Sequence, residues 1–159
     1  METTNWTDAE AECFLAGMKA VATLRGTRPL DPIAGEMLEA VRDHVLHSTL
    51  DLDELPGCTT EELASNVTDS RRRRELVQFV VLMPYLDMHV DAEQVAVVDE
   101  IAGALGVETD TLTDLHRVRD ERLKRLLLDY SRRTFSQYGG GETAWENIKL
   151  VAKALRQFV

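Results

Sequence analysis

The stretches CFLAGMKAVA, residues 13–22, and LVQFVVLM, residues 76–83, decide the fold. Each carries apolar or small side chains at almost every position, and neither contains a proline. A helix of this composition has no polar face, so other elements must surround it on all sides. The two stretches therefore predict two central helices that pack together inside a bundle.

Sequence signals for helix starts recur along the whole chain. Most are capping boxes, in which a small polar side chain and a residue three positions later satisfy each other's free amides. Asp31 before Pro32 is an N-cap with proline at the first helical position. The capping boxes are Thr7 with Glu10, Thr59 with Glu62, Asp91 with Gln94, and Thr143 with Glu146.

These signals predict an all-α fold, a compact bundle of about seven helices in a single domain over residues 1–159. No run of alternating apolar and polar residues predicts a strand. Gly106 and the triplet Gly139–Gly141 separate the later helices. The predicted helices are 8–24, 32–47, 60–66, 70–86, 92–105, 112–137 and 144–158.

The chain also shows an internal repeat. Leu30-Asp31-Pro32 and Val90-Asp91-Ala92 begin matching segments about sixty residues apart, and each follows one of the apolar helices. The matching predicts a pseudo-twofold pair of helical hairpins, with half-repeats at about 8–47 and 70–106.

The segment GMKAVATLRG, residues 17–26, followed by Leu30-Asp31-Pro32, resembles the helix-turn-helix pattern of the tellurite-resistance TerB-like family. The segment VVLMPYLD, residues 80–87, running on to Val107, resembles a second copy of that pattern. Together they cover about half of the chain. The resemblance implies a TerB-like bundle that acts in bacterial stress-response complexes.

The resemblance also implies acidic residues that bind a divalent metal, and here the chain departs from the family pattern. The first turn has Arg25-Gly26 where Asp-Gly is typical, and Ala34 stands at the glutamate position. The second turn keeps Asp87 but has Met88 for the glycine and Gln94 for the glutamate, with Glu93 beside it. Most of the acidic metal-site residues are therefore missing.

Composition narrows the classes of partner. The chain has 159 residues, 44% hydrophobic and 29% charged, with a formal net charge of −10. An acidic surface repels phosphate backbones and anionic lipids, which argues against nucleic acid and membrane partners. No apolar run reaches membrane-spanning length, and the two cysteines, Cys13 and Cys58, show no metal-binding spacing. We expect a cytoplasmic protein with reduced thiols and a protein partner.

The turn Asp87, His89, Asp91, Glu93 places a possible metal ligand at every second position, as at the start of a calcium loop. Asp87, Asp91 and Glu93 are therefore a candidate divalent-metal site. The glycine and glutamate that a calcium loop needs further on are replaced by Ala92 and Val98. The alternative is a polar turn in which Asp91 caps a helix.

Arg71, Arg72, Arg73 and Arg74 form the strongest basic cluster, at the start of a helix where cations oppose the helix dipole. One interpretation is internal compensation by the acidic residues of the 51–54 loop or by Glu61 and Glu62. The other is a docking surface for an acidic or phosphorylated partner, because arginine binds such groups bidentately.

Pro84 interrupts the second apolar helix beside the polar turn, and a kink there could open a pocket. Pro84, Tyr85 and His89 are therefore candidate ligand-binding residues. No catalytic arrangement follows from the sequence, and no cofactor is expected apart from the divalent metal. The C-terminal helix, 144–158, is amphipathic and packs on its own domain or, in a homodimer, on a second copy.

The leading hypothesis for function is a non-catalytic TerB-like interaction or scaffold module in a bacterial stress-response or metabolic system. The first alternative is a helical small-ligand carrier or enzyme with its pocket near Pro84–His89. The second alternative is a weak divalent-metal binder.

Overall fold

The computed structural model describes residues 6–86 and 91–108. Five α-helices occur there, together with a π-helical turn at Arg42–Leu46 and a 3₁₀ turn at Met83–Tyr85; neither described range contains a strand. The predicted all-α class is confirmed for this part of the chain, while the helices predicted at 112–137 and 144–158 lie outside it. The helices are α1 Asp8–Ala22, α2 Pro32–Val41, α3 Thr60–Asn66, α4 Ser70–Leu82 and α5 Ala92–Ala104.

The helices begin where the capping signals place them. The Thr7 hydroxyl accepts the Glu10 amide at 3.3 Å and the Glu10 carboxylate accepts the Thr7 amide at 3.0 Å, so both halves of the capping box form. Thr59 and Glu62 do the same at the start of α3. Asp31 and Asp91 cap α2 and α5. The box predicted at Thr143 lies outside the described residues.

Both apolar stretches form central helices, as predicted. In α1 the buried side chains include Phe14, Leu15 and Met18, all fully enclosed, and α1 contacts each of the other four α-helices. In α4 every residue from 76 to 82 except Gln78 is buried. The rings of Phe14 and Phe79 lie 5.7 Å apart and join the two helices. Burial on all sides explains why neither helix carries a polar face.

Gly17 allows α3 to approach α1 closely. A Cβ atom built on Gly17 would lie 2.9 Å from Leu63 Cδ1, closer than side chains normally come, and Leu63 is almost completely buried. A side chain at position 17 would therefore force the buried Leu63 side chain to shift where α1 and α3 meet.

Several helices end earlier than the sequence predicted. The α1 helix stops at Ala22 because the Thr23 hydroxyl donates to the Lys19 carbonyl and accepts the Gly26 amide, at 2.8 and 3.0 Å. Leu24 and Arg25 then adopt left-handed conformations, with φ of 46° and 57°. The α4 helix stops at Leu82, since Pro84 lacks the amide that would continue it.

Candidate functional site

A cleft of about 510 Å³ lies between the turn after α1 and the start of α5. Its apolar lining comes from α1, the turn after α1, α2, the 3₁₀ turn and α5, and its polar lining comes from the turn after α1, the caps of α2 and α5 and the first turn of α5. This volume is in the range of ligand pockets. The apolar residues are Ala22, Pro29, Ala34, Met83, Leu86 and Ala92, and the polar residues are Arg28, Asp31, Asp91 and Gln94.

Arg28 organises the polar side of the cleft. Its guanidinium donates from Nη1 to the Asp91 carboxylate and from Nη2 to Glu93 at 2.7 Å. The hydrogen bond from Arg28 holds the pKa of Asp91 below its ordinary value, with help from the Glu93 amide. Arg25, in the same turn, binds Glu100 of α5 at 2.6 Å. Two arginines of the first turn therefore hold the N-terminal half of the chain against α5.

Gln94 lines the cleft and also binds the end of α1. Its side-chain amide donates to the carbonyl of Ala22, the last residue of α1, at 3.3 Å. The predicted capping box at Asp91 thus forms only in part: Asp91 accepts the Glu93 amide at 2.8 Å, while Gln94 binds α1. These contacts satisfy a free carbonyl at the end of α1.

Of the predicted ligand residues, Pro84 lies beside the cleft without lining it. Pro84 is buried in the 3₁₀ turn, and its neighbours Met83 and Leu86 supply the lining. Placement of the Tyr85 side chain and of His89 lies outside what is described. Ligand binding by these three residues stays a prediction.

The predicted metal residues have other partners in the described part of the chain. Asp91 and Glu93 bind Arg28, and Asp91 also caps α5, so the interpretation of Asp91 as a helix cap is confirmed. Asp87 lies outside the described residues. Within residues 6–86 and 91–108 no group of three or more His, Cys, Asp or Glu side chains could hold a metal ion. Divalent-metal binding stays a prediction.

The four consecutive arginine side chains, Arg71 to Arg74, lie in different surroundings. Arg71 and Arg74 are exposed. Arg73 donates to three carbonyls: from Nε to Val67 at 2.7 Å, from Nη2 to Ala64 at 2.8 Å and from Nη1 to Leu105 at 3.1 Å. These carbonyls lie at the ends of α3 and α5, where a cation is favourable. Arg73 therefore holds α3, α4 and α5 together.

Arg72 binds Glu10 of α1 rather than the acidic loop that the sequence suggested. Its Nη1 contacts both oxygens of the buried Glu10 carboxylate. The guanidinium also lies over the Trp6 ring, 5.3 Å from its centroid, and Trp6 meets Phe14 edge-on. Only Arg71 and Arg74 of the predicted docking surface are therefore fully exposed.

The Glu10 carboxylate is ionised in spite of its burial. Burial alone would raise its pKa, but the Thr7 amide and hydroxyl and the Arg72 guanidinium more than offset this and lower the pKa overall. One side chain thus closes the α1 capping box and joins α1 to α4.

Sequence reasoning missed Arg28, the residue that organises the cleft. Arg28 and its partners are separated by 63 and 65 positions, so no local spacing connects them. One signal was available: the internal repeat places the turn before Asp31 in register with the turn before Asp91. A basic residue in one such turn and acidic residues in the other could have suggested the contact.

Neither a protein-family model, nor a curated protein, nor a solved structure matches this chain. The TerB-like resemblance consequently stays a prediction. No helix within the two described ranges is long and apolar enough to cross a membrane.

Replacing Arg73 should destabilise the fold far more than replacing Arg71. Arg73→Ala leaves three carbonyls without their charged donor, and we expect a loss of about 2–3 kcal/mol in the free energy of unfolding. Arg71→Ala, at an exposed position two residues away, should change it by less than about 0.5 kcal/mol. Urea unfolding of both variants measures the difference. Equal losses would show that Arg73 does not hold the helix ends.

Glu10→Gln should destabilise the protein in a pH-dependent way. The lowered pKa means that the folded state binds fewer protons at Glu10 than the unfolded state does. Its contribution is therefore complete above the unfolded carboxylate pKa of about 4.3 and is lost as the pH falls through the lower folded pKa. At pH 7 we expect a loss of about 2 kcal/mol, since Arg72 loses its ion pair with the Glu10 carboxylate.

Denaturant unfolding of Glu10→Gln and wild-type protein at pH 7, and at steps below pH 4.5, tests this. The difference between them should shrink as the solution becomes more acidic. Glu36→Gln, at an exposed position on α2, is the matched control and should show little difference at any pH. A Glu10→Gln deficit that is independent of pH would contradict the assignment.

Proposed function

We propose that this chain is a non-catalytic interaction module of a bacterial stress-response or metabolic system, and that its partner binds at the cleft between the α1 turn and α5. The observation that carries the proposal is the chemistry of that cleft. Its apolar residues offer a binding surface, while Arg28 and Asp91, its ion pair, hold each other and Gln94 binds a main-chain carbonyl. Polar side chains that are held by such contacts are better suited to position and recognise a bound partner than to react with it.

The charges around the cleft indicate the kind of partner. The carboxylates of Asp91 and Glu93 bind the Arg28 guanidinium, and the Asp31 carboxylate also lines the cleft. The chain as a whole carries a formal charge of −10. Complementarity therefore favours a segment with an apolar side chain for the cleft and lysine or arginine beside it.

The TerB-like relationship is part of the proposal. Two central apolar helices, each followed by a turn and an aspartate-capped helix, support it. The ion pair between Arg28, in the turn of the first hairpin, and Asp91, at the start of α5 in the second hairpin, also supports it. In this proposal the Arg28 guanidinium is the positive charge that lies between the carboxylates of Asp91 and Glu93, at the start of α5.

A small-ligand carrier is the second candidate, and the volume of the cleft favours it. A space of about 510 Å³ suits a small organic molecule, with Met83 and Leu86 on its apolar side. The ligand would carry a cationic or hydrogen-bonding group toward the carboxylates. The two candidates share the site and differ in the size of the occupant.

The test is selection of binding peptides from a displayed random library on the full chain. Peptides with an apolar residue flanked by lysine or arginine should be enriched. Ala92→Trp places a large ring in the cleft from an exposed position at the start of α5 and should reduce their affinity at least tenfold. Ala104→Trp, exposed at the other end of α5, is the matched control and should bind like the wild type.

Binding that Ala92→Trp leaves unchanged would overturn the cleft as the site. Enrichment of acidic or phosphorylated peptides, lost in an Arg71→Ala/Arg74→Ala double variant, would place docking on the arginine surface instead. A third outcome is that no peptide is enriched but small cationic fragments raise the Tm of the wild type and of Ala104→Trp. If the same fragments leave the Tm of Ala92→Trp unchanged, the chain is a small-ligand carrier.

A further inference from the structure

The two cysteines of the chain lie side by side. Cys13 projects from α1 and is buried, and Cys58 stands in the loop before α3 and is partly exposed. Their sulfur atoms are 3.4 Å apart although 45 positions separate them in sequence. The sulfurs of a disulfide are about 2.05 Å apart, so they need to approach by only about 1.4 Å. No other cysteine competes, because the chain has two in all.

The surroundings of the pair permit this approach. Residues 47–59 contain no helix or strand, so the backbone that carries Cys58 is not fixed by a hydrogen-bonded ladder. Cys13 is held in position by α1, and the Asn66 amide donates to its sulfur at 3.4 Å. Cys13 is thus held within a helix, whereas Cys58 lies outside any helix, directly before the Thr59 cap of α3.

We propose that Cys13 and Cys58 form a reversible intramolecular disulfide, making the pair a redox modification site that ties the 47–58 loop and the start of α3 to α1. The oxidant is a small-molecule disulfide such as glutathione disulfide. The Cys58 thiolate attacks one sulfur of it, breaking that S–S bond and releasing one glutathione thiolate. The Cys13 thiolate then attacks Cys58 Sγ and releases the second.

The exchange balances without another reagent. The two protein thiols lose two protons and two electrons, and the electrons reduce one glutathione disulfide to two thiols, which take up the protons. Cys58 is the first to react because it is the more exposed of the two.

The electrostatic surroundings of Cys58 make its attack on the oxidant slow. Burial raises the pKa of the Cys58 thiol to about 12, and the neighbouring Cys13 sulfur and the carboxylates of Glu62 and Glu12 act in the same direction. Little thiolate is present at neutral pH, so attack is slow. The pair therefore records prolonged oxidising conditions rather than brief ones.

The test is equilibration of the full-length chain in glutathione redox buffers, followed by alkylation of free thiols and mass spectrometry. We expect a monomer that has lost two hydrogens, and a proteolytic fragment that joins the peptides of Cys13 and Cys58. The equilibrium constant for disulfide formation gives the effective concentration of one thiol at the other. This effective concentration should be at least tenfold higher in the folded chain than in the urea-unfolded chain. The Tm of the oxidised protein should exceed that of the reduced protein by about 5 °C or more.

Cys58→Ser, at the partly exposed position, is the control and should show neither the linked peptide nor the change in Tm. Four results would overturn the proposal: thiols that stay free, a lasting mixed disulfide at Cys58, a disulfide between two chains, or a Tm that falls on oxidation. If Cys13→Ser fails to fold, the wild type and Cys58→Ser still decide between these outcomes.

Discussion

The burial of α1 is the constraint on which the rest of the described structure depends. Its apolar residues leave no face for water, so α2, α3, α4 and α5 must all pack against it. The glycine at position 17 leaves room for the buried Leu63 side chain of α3. The polar groups at its two ends are satisfied as well, by the Thr7 capping box at the start and by Thr23 and Gln94 at the end.

Basic side chains hold this arrangement together, and they explain how an acidic chain keeps its helices in contact. Arg72 joins α4 to α1 through the Glu10 carboxylate, and Arg73 joins α4 to the ends of α3 and α5. Arg25 and Arg28 join the first turn to α5. The contacts of Arg72 and Arg73 are partly buried, whereas those of the turn are exposed and contribute less to stability. The turn contacts matter chiefly because they shape the cleft.

Local signals in the sequence were sufficient to predict the five helices of the described residues. The caps at Thr7, Asp31, Thr59 and Asp91 fix where helices begin, because each depends on residues within one turn. The ends were predicted less well: the helix predicted for 32–47 becomes a π-helical turn after Val41. An end depends on how the chain must turn to reach its next neighbour.

The site could be predicted only in part, for a similar reason. The break after α4 at Pro84, beside the cleft, could be predicted because a proline acts on its own helix. The partners of Arg28 and Arg72, and the meeting of Cys13 with Cys58, join positions 45 to 65 residues apart. A single sequence contains no distance information for such pairs. Only the packing of the helices around α1 determines which of these residues meet.

Hydrogen exchange, read by mass spectrometry or NMR, tests the central position of α1 most directly. The amides of residues 13–22 should exchange only through global unfolding, and more slowly than any other segment except α4. Their exchange rates should rise with low concentrations of urea in step with the global free energy of unfolding. Exchange of these amides as fast as that of the 47–59 loop, or by local opening that urea does not change, would contradict a bundle built around α1.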